Sequence, residues 1–179
     1  MKKTETNKKH EIIFRESWRI ESSENLITIQ EDGSVFVNNE LGSLQLPNAY
    51  KEFIIKYPGG ITPTGEDNFI VAQFEEEAIE VPLEYLLGLE SVVSDYSYQY
   101  ASTFGSGSRL PAKHIIIASG EIDDFVLNID PKSDNFGKVY NWARAGDPWG
   151  TGDNTEGFGL VADNFIELMN NLTKETHLD

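Results

Sequence analysis

Alternation of apolar and polar residues predicts a β-hairpin near the start of the chain. The segments LITIQ and SVFVN flank Glu31, Asp32 and Gly33, and an Asp-Gly pair is favoured where a turn needs positive φ. Ile27 and Ile29 would share one face of the first strand, because successive side chains of a strand point to opposite faces. We therefore predict a hairpin over residues 26–38.

The next segment, LQLPNAYKEFIIKYPGG (44–60), predicts a helix whose two ends are both marked. Pro47 is tolerated in a first turn, where its missing N–H loses no helical hydrogen bond. The sequence Pro58-Gly59-Gly60 predicts the end of the helix. Its apolar residues recur every three or four positions: Tyr50, Phe53, Ile54 and Tyr57.

The middle of the chain predicts a strand, a short helix and an extended stretch. Phe69 to Phe74 has the pattern of a strand. Pro82 to Leu89 predicts a short helix, with Leu83, Leu86 and Leu87 grouped along one side. A period of two favours an extended conformation for the three tyrosines that follow: Tyr96, Tyr98 and Tyr100.

The last third predicts three strands and a final helix. The strands are His114–Ala118, Phe125–Ile129 and the segment GKVYNWA (137–143), and the apolar run at 115–117 is typical of an internal strand. The segment LVADNFIELMNNL (160–172) has apolar residues at helical spacing. Helices towards both ends with consecutive strands between them predict an α+β fold, a mainly antiparallel sheet flanked by helices.

The length of 179 residues predicts a single domain. We expect it to span residues 12–173, with a flexible tail at 1–11 and a C-terminal tail at 174–179. The chain has no cysteine, which excludes disulfides and thiolate metal sites and is typical of a reducing compartment. The basic start lacks the apolar run of a secretory signal, and no stretch of about 18 apolar residues exists to span a membrane. We therefore expect a cytoplasmic protein.

The sequence offers little catalytic chemistry. Its histidines are His10, His114 and His177, of which two lie in the predicted tails and His114 lies beside a strand. No nucleophile motif or phosphate-binding loop is present. We therefore predict a protein that is not an enzyme and holds no metal and no cofactor.

One alternative stays open, an enzyme that uses an acidic loop. The carboxylates of Asp147, Asp153 and Glu156 lie in a Gly-rich segment, and hard cations prefer such oxygen ligands. The spacing of an EF-hand is absent, however. An ordered metal at these residues would support this alternative.

Negative charge dominates the chain and is unevenly distributed. The formal net charge is −16, and residues 57–108 contain no Lys or Arg. Such a charge repels nucleic acid and anionic lipid and attracts cationic partners. The alternative is that acidity only keeps the protein soluble. The acidic residues of the cation-free segment are Glu66, Asp67, Glu75, Glu76, Glu77, Glu80, Glu84, Glu90 and Asp95.

Three blocks, in order, resemble the SUKH superfamily, whose members include yeast cell-wall regulators and many bacterial immunity proteins. They are residues 44–60, residues 110–130 with 137–143, and residues 160–172. The resemblance covers roughly residues 40–172. One difference is that the family usually has a helix before the Leu-Pro motif, where this chain predicts a hairpin. The matching residues are Leu46, Pro47, Tyr50, Phe53, Gly59, Gly60, Ala118, Asp130, Gly137, Val139, Tyr140, Ala162 and Phe165.

The resemblance implies an immunity protein that binds and neutralises a polymorphic toxin, often a nuclease. The partner would be a cationic toxin domain that an acidic surface attracts. The alternative is a non-enzymatic intracellular scaffold or regulator, like the eukaryotic relatives. Tyrosine and tryptophan are enriched at binding hot spots, although the tyrosines would equally pack on the sheet. The candidate partner-binding residues are Glu75, Glu77, Glu80, Asp95, Tyr96, Tyr98, Tyr100, Asp123, Asp124 and Trp149.

Overall fold

A computed structural model of the protein describes residues 13–16, 27–29, 35–39, 42–64, 68–100, 110, 113–121, 123–142 and 157–172. The helices in this part of the chain are α1 (Asn48–Lys56), α2 (Leu89–Tyr100) and α3 (Phe165–Asn171). The strands are β1 (Ile13–Glu16), β2 (Ile27–Ile29), β3 (Val35–Asn39), β4 (Gly42–Gln45), β5 (Gly60–Thr64), β6 (Phe69–Gln73), β7 (Ala78–Pro82), β8 (Tyr85–Leu87), β9 (His114–Ser119), β10 (Asp124–Asn128), β11 (Val139–Trp142) and β12 (Phe158–Ala162).

The strands form one large sheet and one small sheet, and every described pairing is antiparallel. The order in the large sheet is β1-β5-β8-β9-β10-β11-β12-β6-β7, and in the small sheet β2-β3-β4. The predicted α+β fold with a mainly antiparallel sheet is therefore confirmed. The predicted hairpin is confirmed as well, because β2 pairs with β3 from Ile27 opposite Val37 to Ile29 opposite Val35.

The large sheet must curl strongly, because two of its distant strands are joined by only two residues. β7 and β8 lie six strand positions apart, which in a flat sheet would separate them by about 29 Å. Leu83 and Glu84 connect them, and the three steps from Pro82 to Tyr85 reach about 11 Å at most. Consistently, a Cβ atom on Gly120, in the turn after β9, would collide with the Pro82 carbonyl oxygen.

Aromatic side chains of α1 and α3 pack against each other in the core. Tyr50 and Phe53 of α1 pack against Phe165 of α3, with ring centroids 5.0 and 4.9 Å apart. The predicted helix of residues 44–60 is confirmed as α1, which Pro47 precedes at the N-cap. After α1 the chain enters β5 at Gly60, whose φ of 78° lies in the left-handed region that favours glycine.

The predicted helix over residues 82–89 is wrong. This segment contains the end of β7 and the whole of β8. β8 lies between β5 and β9, and Leu86 and Leu87 are both buried. A short strand that is covered on both faces has the same unbroken apolar run as a short buried helix, so the pattern could not distinguish them.

The extended conformation predicted for the three tyrosines is also wrong, since residues 89–100 form α2. The buried positions that anchor α2 are Leu89 and Val92, at the helical spacing of three. The predicted final helix is only partly correct, because residues 158–162 form β12 and α3 begins later, at Phe165. Asn164 caps it, its side-chain oxygen accepting a hydrogen bond from the backbone N–H of Glu167.

Candidate functional site: an acidic hairpin and the adjoining cleft

The hairpin of β6 and β7 presents a group of carboxylates to solvent. The two strands pair from Phe69 opposite Pro82 to Gln73 opposite Ala78. The turn between them is closed by the Phe74 N–H, which donates to the Glu77 carbonyl oxygen at 2.8 Å. The exposed acids of this hairpin are Glu75, Glu76, Glu77 and Glu80.

The turn brings Glu76, which is not among the predicted partner-binding residues, together with Glu75 and Glu77. An extended strand would direct Glu75 and Glu77 to one face and Glu76 to the other. The structure places these three residues at a chain reversal, where all three side chains are exposed. Glu76 is therefore available to a partner together with Glu75 and Glu77.

A second acidic turn adjoins the far end of the same hairpin. The β9–β10 turn carries Glu121, which is exposed, and Asp123, which is half-buried. Gly120 in this turn lies against the Pro82 carbonyl oxygen, and Pro82 pairs with Phe69 at the end of the hairpin away from residues 75–77. We call residues 75–77 the acidic end.

Three lysines lie at the ends of β9, β10 and β11 that are far from the β9–β10 turn. Lys113 precedes β9, and Lys132 and Lys138 lie in the connection between β10 and β11. Lys138 Nζ lies 3.4 Å from Asp163 Oδ1. Asp163 follows β12, whereas residues 75–77 follow its antiparallel neighbour β6. Lys138 is therefore at the opposite end of these two strands from the acidic end.

A cleft of about 340 Å³ adjoins the hairpin where β6 and β12 diverge. These two strands pair at Leu160 opposite Gln73, and they separate towards Ile70 on β6 and Ala162 on β12. Glu167 closes one side, and its Oε2 atom accepts a hydrogen bond from the Asp163 N–H at 2.8 Å. The residues that line the cleft are Ile70, Val71, Gln73, Leu160, Val161, Ala162, Asp163, Glu167 and Asn171.

Of the other predicted partner-binding residues, Asp124 is not at the surface. It is the first residue of β10 and only 2% exposed, and its Oδ1 atom accepts a hydrogen bond from Ser119 Oγ at 2.9 Å. Asp124 therefore stabilises the start of the β9–β10 hairpin. Its neighbour Asp123 accepts a hydrogen bond from the Gly120 N–H through its backbone oxygen at 2.8 Å.

Asp95 does not belong to the hairpin, and the other predicted residues lie wholly or in part outside the described part of the protein. Asp95 is half-buried on α2, which packs against β9 and β3. Tyr96, Tyr98 and Tyr100 belong to the same helix, but their side chains lie outside the described part of the protein. Trp149 lies outside the described residues altogether, as do the acidic-loop residues of 147–156.

Glu121 is an exposed acid near the hairpin that the sequence did not predict as a partner-binding residue. The cation-free segment 57–108 pointed to the residues around Glu76 and Glu84, but Glu121 follows Arg109 and Lys113 in the chain. Only the pairing of β9 with β10 and β8 brings its turn beside β7. No feature of the linear sequence carries that information.

Metal binding has no candidate site among the described residues. Among them, no group of three or more His, Asp or Glu side chains could hold a metal ion. His114 is 8% exposed, with its Nε2 atom 3.2 Å from Asn128 Nδ2. None of the three described helices is long and apolar enough to cross a membrane.

Comparison with known proteins identifies the family. Residues 35–171 match the profile of the SMI1/KNR4 family (SUKH-1). No curated protein and no solved structure matches the chain. The profile begins at β3 and ends with α3, so it contains both acidic turns and the cleft. The chain therefore belongs to the SMI1/KNR4 family (SUKH-1).

Proposed function

We propose that this chain is an immunity protein, which binds a cationic toxin domain through its acidic end and so neutralises it. The observation that carries the proposal is the β6–β7 turn, which holds three consecutive exposed carboxylates. The nearest cations along the chain are Lys56 and Arg109. Such a surface favours a positively charged protein over nucleic acid or an anionic membrane.

Clustering of the carboxylates matters more than the total charge. Interactions between exposed charges are screened beyond about 8–10 Å at physiological salt. A partner therefore senses mainly the acids near its own docking site. Toxins that cleave nucleic acid need cationic surfaces to hold phosphate, and complementary charge accelerates their encounter with an acidic inhibitor.

Charge reversal of the turn tests the proposal. We expect the Glu75→Lys/Glu77→Lys double variant to associate about tenfold more slowly than the wild type at low salt. The toxin domain to use is the one encoded beside the gene for this chain, and stopped-flow fluorescence measures the association rate. The difference should shrink at about 0.5 M salt, where screening is nearly complete.

The matched control is Glu52→Lys/Asp134→Lys. It changes the net charge by the same amount, but on α1 and in the β10–β11 connection, where both side chains are exposed. We expect nearly unchanged association for this control. Equal slowing by both variants would show that only total charge matters and would contradict the proposal.

A cell-protection assay separates the proposal from its alternative. Co-expression of the wild-type chain should restore growth to cells that produce the neighbouring toxin domain. If the toxin is bound by neither variant nor wild type, or is not neutralised, the immunity function fails. The non-enzymatic scaffold or regulator would then be the better hypothesis.

A further inference from the structure

The hydrogen-bond pattern of the β6–β7 hairpin determines which backbone groups of β7 point away from the sheet. The Phe74 N–H donates to Glu77, and at the other end the Leu83 N–H donates to the Asn68 carbonyl oxygen at 2.7 Å. In an antiparallel pair, hydrogen-bonded and non-hydrogen-bonded residue pairs alternate. With the observed register, Ile79 and Val81 therefore face β6 with their backbone groups.

The backbone groups of Ala78, Glu80 and Pro82 consequently face outward. Pro82 has no N–H to offer, and its carbonyl oxygen lies against Gly120. Ala78 and Glu80 each keep one N–H and one C=O directed to the outside. β7 is the last strand of the large sheet, and no described strand pairs with its outer edge.

The side chains around this edge favour one kind of added strand. Glu80 lies on the exposed face, while Ile79 on the other face is half-buried against the core. Glu77 precedes the edge, and Glu84 follows it. A second copy of this chain would bring the same carboxylates together, so like charges oppose pairing of β7 with itself. A cationic strand meets attraction at the same positions.

We infer that the outer edge of β7 receives an extended cationic segment of the protein partner, which adds to the large sheet as a further antiparallel or parallel strand. This inference rests on the proposed function and names how the partner is held. Backbone hydrogen bonds to Ala78 and Glu80 supply the pairing. Alternate Lys or Arg side chains meet Glu80 on the exposed face, and the intervening apolar side chains lie beside Ile79.

A synthetic peptide tests the inference without knowledge of the toxin. The probe is a capped peptide of about eight residues that alternates lysine and valine, a length typical of a strand. We expect it to slow hydrogen exchange at the Ala78 and Glu80 amides, followed by NMR. The amides of Ile79 and Val81 already belong to the β6–β7 ladder, so their exchange should change much less.

The decisive comparison peptide carries an N-methyl group on every backbone nitrogen. It keeps every charge but cannot donate the hydrogen bonds of a strand along either edge, so it cannot pair with β7 in either direction. We expect binding at least about fivefold weaker, the effect of losing one net hydrogen bond. Equal binding of the two peptides, binding without protection of the two amides, or no binding at all would overturn the inference.

A protein variant provides the reciprocal test. Ala78→Pro removes an outward N–H and leaves the β6–β7 ladder intact, because proline is tolerated at such positions of an edge strand. We expect about fivefold weaker peptide binding, whereas Ala78→Thr, which keeps the N–H, should bind like wild type. If Ala78→Pro does not fold, the N-methylated peptide still decides the matter on the unchanged protein.

The outcomes distinguish this inference from the proposed function. If Glu75→Lys/Glu77→Lys slows toxin association while the toxin leaves the Ala78 and Glu80 amides exchanging freely, the acidic end acts by charge alone. The strand-addition inference then fails and the immunity function stands. If the toxin associates equally with both variants, the proposed function fails whatever the peptide does.

Discussion

At the scale of single residues, the buried ring of Tyr50 stabilises the fold, whereas its buried hydroxyl group destabilises it. The ring is fully buried and contacts Phe53 and Phe165, with centroids 5.9 and 5.0 Å away. The hydroxyl oxygen has no hydrogen-bond partner. Burial of a polar group without a partner costs about 1–3 kcal/mol. The tyrosine of the Leu-Pro block therefore stabilises the fold through packing, in spite of its hydroxyl group.

Tyr50→Phe should raise the free energy of unfolding by about 1 kcal/mol at neutral pH, because it removes the unpartnered hydroxyl and keeps the ring. Urea denaturation measures the change. Tyr50→Leu is the control and should destabilise the protein, since it removes the ring contacts. A Tyr50→Phe variant less stable than wild type would mean that the hydroxyl has a partner after all.

Tyr50→Phe should also change how the free energy of unfolding depends on pH in the alkaline range. Burial raises the pKa of Tyr50 above the usual tyrosine value of 10.0. The folded state keeps the Tyr50 proton at a pH where the unfolded chain loses it. The free energy of unfolding is therefore unaffected by this group below pH 10 and declines as the pH rises above 10. The slope from one such group is about 1.4 kcal/mol per pH unit. Urea midpoints of wild type and Tyr50→Phe should therefore separate further above pH 10; parallel curves would contradict this.

At the scale of elements, the junction of β6 and β12 depends on one close contact. A Cβ atom on Gly159 would lie 2.6 Å from two ring atoms of Phe74, a distance that requires the ring to move. Phe74 directly follows β6, just before the acidic turn. The glycine thus lets the ring pack on β12 and holds the turn end of the hairpin.

A double-mutant cycle tests this contact. Gly159→Ala should lower the free energy of unfolding by about 1–3 kcal/mol, the usual cost of overpacking. In a Phe74→Leu background the same substitution should cost clearly less, because the space it needs has been vacated. Thermal and urea unfolding of the four proteins give the coupling energy. A coupling near zero would show that the two residues do not determine each other's position.

At the scale of the whole molecule, like charges oppose compaction. The chain carries a net charge of −16, and the folded state brings these charges closer than the unfolded chain does. The acidic end contributes three consecutive exposed carboxylates to this field. Binding of a cationic partner would neutralise it, so the surface proposed for recognition also has an energetic cost in the free protein.

Added NaCl should therefore stabilise the free protein. Between about 10 mM and 0.3 M salt the screening length falls several-fold, and we expect the melting temperature to rise by about 2–4 °C, equivalent to about 1 kcal/mol. Glu75→Lys/Glu77→Lys lowers the net charge to −12, since each substitution adds two positive charges, and should show a smaller rise. A melting temperature that falls with salt would show that favourable ion pairs dominate.

The sequence by itself determined those features that short-range physics controls. The spacing of Tyr50 and Phe53 between Pro47 and Pro58 was sufficient for α1, and the apolar run at 115–117 was sufficient for an internal strand. The β2–β3 hairpin followed from alternation and an Asp-Gly pair. The absence of cations over 57–108 pointed to the acidic hairpin. In each case the residues that specify the feature are close neighbours in the chain.

Only the tertiary structure decided which elements are covered on both faces and which carboxylates reach solvent. Leu86 and Leu87 belong to a strand because β5 and β9 flank them, and α2 forms where a period of two had favoured a strand. Asp124 and Glu75 both carry a carboxylate, yet Asp124 is buried beside Ser119 and Glu75 is exposed in a turn. β7 is the last strand of the large sheet in the described part of the chain, because the chain turns at Leu83 into β8, which pairs with β5 and β9. Burial and pairing depend on partners distant in sequence, and local patterns do not encode those partners.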